Sequence, residues 1–212
     1  MLDVHPPHSP THTWKDFFIH VGTITVGLLI ALSLEAAVES FRHAHERREM
    51  RQNLHEEILE SQKQLPRNLE SVEGERHELE ANLVMLRKLR AHQTLPPGSK
   101  LNLSWYWSSM PDAAWQTAHE TGQLALLSSN QVQGYSGLYG QQALVNSAGI
   151  ALSRGLTEAQ IPLTVEPDLN ALPPALIDEL IRSCATNFNQ IEYVEVLAKK
   201  LGPNYKEALG KL

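Results

Sequence analysis

Residues 17 to 34, FFIHVGTITVGLLIALSL, contain no Asp, Glu, Lys or Arg, and this run constrains the chain more than any other feature. An α-helix over it rises about 27 Å, and continuing through Ala36 to Val38 reaches the ~30 Å thickness of a bilayer's hydrocarbon core. Its only polar side chains are His20, Thr23, Thr25 and Ser33, without the one-sided polar face of an amphipathic core helix. The sequence therefore predicts a transmembrane helix over 17–38, with the lipid bilayer as first partner. Trp14 stands where an interfacial aromatic would anchor it. A cleaved signal peptide is the rival reading, because Ala31-Leu32-Ser33 offers small residues at a peptidase spacing. Against cleavage stand a long leading segment holding only Lys15 and an apolar run longer than the usual ~7–15 residues.

Thr23, Gly27 and Ala31 recur every four residues and place small side chains on one helix face. Such a face lets a second helix approach closely in lipid, so a homo-oligomer through the anchor is expected.

Beyond the anchor the pattern is that of an all-α protein. Residues 1–16 hold three prolines and three histidines and read as a flexible tail. Residues 39–93 read as a helical stalk or hairpin, with Glu39–Arg42 and Arg42–Glu46 able to pair on its surface. Ile58, Leu65, Val72, Leu79 and Leu86 recur every seven residues, while Ser61, Asn68, Glu75 and Asn82 occupy alternate seam positions. Those polar residues argue against a strict coiled coil and for an irregular intramolecular bundle. Pro66 predicts a kink or a short helix–helix junction.

Residues 94–100, TLPPGSK, form a loop, and 104–212 read as a helical body packing on the stalk. Within it Ser109, Pro111 and Asp112 start a short helix that Gly122 ends. Asn130 is the expected cap of the next, which runs from Val132 to near Gly155. The prolines at 162, 167, 173 and 174 predict an irregular connection over 161–174. A last helix follows from Leu176 to Leu201, stopped by Gly202-Pro203, with a short tail helix from Asn204.

No motif in the sequence marks a catalytic residue, a cofactor site or a metal site. His5, His8, His12, His43 and His45 are nitrogen donors without fixed geometry. His55-Glu56 and His119-Glu120 lack the second histidine of a zinc-protease helix, since Leu59 and Gln123 stand there. Gly134-Tyr-Ser136-Gly137 lacks the closing glycine of a nucleophile elbow. Cys184 lies on an apolar helix face and reads as buried packing; as the single cysteine it excludes an intrachain disulfide. Gly134, Gly137 and Gly140 make a smooth strip suited to close packing or to lining a ligand. The stalk carboxylates, Glu56-Glu57 among them, read as a solvated surface. A net charge of −6, with no cluster of Lys and Arg free of interleaved acids, argues against a nucleic-acid footprint. Trp105, Trp107 and Trp115, with Tyr135 and Tyr139, either cap the bundle core or form a patch for a protein partner or ligand.

Trp14-Lys-Asp-Phe17, Gly27-Leu-Leu-Ile-Ala-Leu32, Leu54-His-Glu-Glu57, Trp115-Gln-Thr-Ala and Thr121-Gly122-Gln-Leu together resemble bacterial single-pass membrane proteins of unknown function. That resemblance implies an anchor, a stalk and a helical body in a bacterial inner membrane, and carries no site residues with it. The expected function is that of a membrane-anchored interaction or assembly protein without catalysis, with an unidentified protein partner. The alternative is a membrane-tethered ligand sensor or enzyme with a site near residues 105–140. Arg42, Arg47, Arg48 and Arg51 on one side of the run, against Lys15 on the other, point to a cytoplasmic body. The signal-peptide-like features point to a periplasmic one.

Overall fold

The computed structural model describes residues 14–210, and it is all-α. The expectations for His5, His8 and His12 and for most of the amino-terminal tail lie outside the described residues. Four helices follow in order: α1 (Trp14–Arg90), α2 (Ala113–Glu120), α3 (Ser129–Val165) and α4 (Pro174–Gly210). Trp14, Lys15 and Asp16, expected in the tail, already belong to α1. The chain divides into two compact units, Met1–Arg48 and Glu49–Leu212, and α1 contributes to both.

In the first unit every residue from Trp14 to Phe41 is exposed. Its hydroxyls are nevertheless satisfied within the helix. Thr23, Thr25 and Ser33 donate to the carbonyls of Ile19, Val21 and Leu29 at 2.9, 2.8 and 2.7 Å, so they add little polarity to the surface. Trp14, Phe17 and Phe18 form an aromatic group with ring centroids 5.7–6.2 Å apart. After the apolar run Arg42 pairs with Glu39 and with Glu46, both at 3.8 Å.

The second unit is built on heptad seams. On α1 the buried positions run Ile58, Ser61, Leu65, Asn68, Val72, Glu75, Leu79, Asn82, Leu86 and Leu89, alternating steps of three and four. From Tyr135 to Ala159, α3 buries the same alternation, and α4 does so from Ile177 to Tyr205. Such a stripe faces neighbouring helices continuously. Arg76 meets Glu195 and Arg90 meets Asp178, each at 4.0 Å, so α4 runs antiparallel to α1. The eight residues from 166 to 173 fold α4 back along α3. Two clusters make the core, one around Leu79, Leu152 and Ile191 and the other around Leu54, Tyr139 and Leu201.

Three prolines predicted to interrupt helices do not. The junction expected at Pro66 is absent, because α1 is unbroken from Trp14 to Arg90. Pro162 lies inside α3, which runs to Val165 where an irregular connection was expected. Pro203 lies inside α4, so Gly202-Pro203 is not a stop and the tail helix is the same helix. Pro66 and Pro203 are both exposed, while Leu65 and Asn68, and Leu201 and Tyr205, are buried on the opposite side. Packing of the seam holds the turn, and the carbonyl freed by each proline lies on the wet side of its helix.

Two further boundaries differ from the sequence reading. Ser128, not Asn130, caps α3: it and Gln131 form a reciprocal capping box. Gly155 lies within α3 instead of ending it. A Cβ there would come 2.3 Å from Asn187 Oδ1, so glycine is what lets α4 approach.

Candidate functional site

Between α1 and α2 the chain returns along the body as a strap, residues 95–112, which contains no helix and is extended beyond a turn at 97–98. Four asparagines hold it. Each accepts a hydrogen bond from one backbone N–H through Oδ1 and donates to the same residue's carbonyl through Nδ2, as a neighbouring β-strand would. Asn82 grips Asn102 at 3.0 and 2.5 Å, and Asn68 grips Ser108 at 3.3 and 2.8 Å. Asn146 of α3 grips Met110 at 3.1 and 3.0 Å, and Asn170, before α4, grips Leu95 at 2.8 and 3.3 Å. Ser71 adds a bond of 2.5 Å to the Tyr106 carbonyl.

The register follows from the two geometries. Asn82 and Asn68 are two heptads apart, about 21 Å along the helix axis. The six steps from Asn102 to Ser108 must cover that distance, at about 3.5 Å each, the reach of a fully extended chain. Side chains alternate accordingly: Leu103 is buried, Trp105 and Trp107 are half-buried, and Ser104 and Tyr106 between them are exposed. The polar seam positions of α1 thus have a use that periodicity alone conceals. The column Ile58, Leu65, Val72, Leu79 and Leu86 is apolar, and the column containing Asn68 and Asn82 reads the strap.

Glu75 lies in that second column, level with Trp105, whose backbone groups the alternation turns away from α1. It is 3% exposed and its Oε1 has no partner. Burial, reinforced by the nearby charge of Glu78, pushes its carboxyl up to about 8, so the group is mainly protonated at neutral pH. Burial and then Glu75 raise the Cys184 thiol to about 11, which leaves it unreactive packing inside α4.

The five aromatics singled out in the sequence divide into two groups. Trp105 and Trp107 stack with centroids 5.9 Å apart and planes 8° apart. Trp107 lies on α3 so closely that a Cβ at Gly149 would sit 2.6 Å from its ring. Beside this contact the strap and the Gly149–Ser153 turn of α3 together line a groove of about 220 Å³. Trp115 instead stacks on Tyr139, at 5.1 Å and 9°, with Tyr135 beside it at 6.4 Å. Tyr135 and Tyr139 are buried, and burial raises both phenols.

Glu57 organises the second group and corrects the reading of the stalk carboxylates as a solvated surface. Its carboxylate accepts from the N–H groups of Ala114 and Trp115 at 2.7 and 3.3 Å and from the Tyr139 hydroxyl at 2.8 Å. It caps α2 from another helix, since Asp112 supplies no side-chain cap. Below it Tyr205 donates to Gln142 at 2.6 Å, and Gln142 donates to the Pro111 carbonyl at 2.7 Å. These contacts join residues far apart in sequence, and no local motif announces them.

Thr23, Gly27 and Ala31 lie exposed on α1 in the first unit, with open space where a Gly27 side chain would be. Gly134, Gly137 and Gly140 are likewise open, and the first two line a cavity of about 660 Å³ with Tyr135, Leu138 and Asn204. They therefore do not serve close packing within the chain. Among the described residues, no three His, Cys, Asp or Glu side chains converge as metal ligands.

Compared with known proteins, the chain matches no family model, no curated protein and no solved structure.

Proposed function

We propose that this protein is a single-pass, membrane-anchored interaction or assembly component that works by binding another protein and not by catalysis. One observation carries the reading. α1 contains a window of eighteen residues long and apolar enough to cross a membrane, and none of it is buried within the protein. A soluble core helix would hide such a surface; this one leaves it to lipid. The body supports the second half of the proposal. Three of its buried polar side chains, Asn68, Asn82 and Gln142, are spent on holding the strap, and its most perturbed carboxyl, Glu75, is enclosed among seam residues where no substrate reaches it. The arginines at 42, 47, 48 and 51 favour a cytoplasmic body in a bacterial inner membrane.

The test is fractionation of cells expressing the full chain with carboxy-terminal reporters. The protein should remain in the membrane pellet through alkaline carbonate, with a reporter active only in the cytoplasm switched on. Protein released into the carbonate supernatant would refute the anchor. A signal from a periplasmic reporter alone would reverse the orientation and leave the anchor standing.

A further inference from the structure

Between Asn102 and Ser108 the strap uses only one of its two edges, whereas beyond Ser108 it is also bonded to α3 through Asn146 and Gln142. Toward α1, Asn102 and Ser108 exchange both backbone bonds with asparagines, and Tyr106 accepts from Ser71. Leu103, Trp105 and Trp107 turn their N–H and C=O groups the other way. Those groups make no hydrogen bond with any described residue. The indole N–H groups of Trp105 and Trp107 are also buried without an acceptor. Beside this edge lies the groove against Gly149, Ile150 and Ser153, whose lining carries no charged side chain.

Resting on the interaction reading above, we propose that this edge receives an extended peptide segment of a partner protein. The segment pairs as a second strand with Leu103, Trp105 and Trp107 and sets an uncharged side chain into the groove beside Ile150. The hydrogen-bond pattern chooses this occupant. Free donors and acceptors recurring at every second residue match only another extended backbone, which presents the same repeat. A helix has its backbone groups already paired, and a small molecule would satisfy one rung of the three. A charged side chain would be desolvated in the groove with no counter-charge in its lining. The strap is suited to the task because its asparagine clamps hold it extended before binding, so little of its own ordering remains to oppose association.

Detergent-solubilised full-length protein is panned with a phage-displayed random dodecapeptide library, and enriched peptides are resynthesised with a single N-methyl group moved along the backbone. Enriched sequences should be uncharged at their centre. N-methylation should weaken binding about tenfold or more at alternate residues and little between them, as lost backbone bonds require. Ile150→Lys, at a position 51% exposed on α3, should weaken binding by at least a similar factor with the helical circular dichroism unchanged. Failure to enrich peptides, a flat N-methyl profile, a peptide that binds as a helix, or affinity indifferent to Ile150→Lys would each overturn the proposal. A partner cross-linked equally well by native and Ile150→Lys membranes would keep the interaction reading and remove the strap as its site.

Discussion

Helix α1 carries two surfaces on one unbroken backbone. From Phe17 to Leu34 it is apolar on every side and exposed on every side. From Ile58 to Leu89 it buries a narrow seam and leaves the rest polar. Both stretches are equally helical, so helix formation does not distinguish them. The distribution of apolar side chains around the axis does: an all-round apolar surface has no preferred side to bury, whereas a stripe is covered by two neighbouring helices. The comparison also shows where polar groups are tolerated. Hydroxyls in the first stretch bond back to their own helix, whereas amides in the second reach across to the strap.

The largest expected effect breaks the comparison at its first half. Ile24→Arg combined with Leu28→Arg places two charges mid-run, at about 2.5–3.5 kcal/mol each for a centred arginine. The protein should then move from the carbonate-resistant membrane pellet to the soluble fraction. The matching change in the second half is Leu79→Ala. Leu79 is fully buried, so its truncation should cost about 2–5 kcal/mol, read as a lower unfolding midpoint in detergent. Leu29→Ala, of the same chemistry but exposed, should leave that midpoint in place.

Glu75 sharpens the contrast between the two seam columns through pH. Its carboxyl is raised from 4.5 to about 8 in the folded body, so the folded state holds the proton more tightly than the unfolded one. The stability this group contributes is fully present below about pH 4.5 and is lost as pH rises from there through 8, by at most roughly 5 kcal/mol. Thermal unfolding followed from pH 5 to 9 should show the decline in the native protein, and Glu75→Gln should flatten it.

Asn68→Ala removes both partners of the Ser108 backbone and should cost about 1–3 kcal/mol. It should also speed amide hydrogen exchange at Ser108 relative to the strands of helix around it. Unchanged protection would mean that the clamp does not hold the strap. The smallest effect belongs to Gly27→Ile, which should weaken association of the isolated run in a membrane two-hybrid assay by about 1 kcal/mol, with Leu29→Ile as control. Equal signals would make the small-residue face incidental.

Much of this protein is written in short-range pattern. The apolar run, the heptad stripe of α1, the packing of Cys184 and the helical course from Leu176 onward are all local in sequence, because a 3.6-residue period brings their residues to one face whatever lies opposite. Tertiary structure decided the rest. Pro66, Pro162 and Pro203 signal breaks locally, yet each lies inside a helix, and at Pro66 and Pro203 the buried seam continues past the proline. Asn68 and Asn82 look like defects in a stripe until an extended segment lies against them, and Glu57 looks solvated until α2 and Tyr139 arrive. A side chain's polarity shows only that it needs a partner. Which partner it finds depends on what the fold carries to it from 20, 40 or 82 residues away, the sequence separations of Asn82 from Asn102, of Asn68 from Ser108 and of Glu57 from Tyr139.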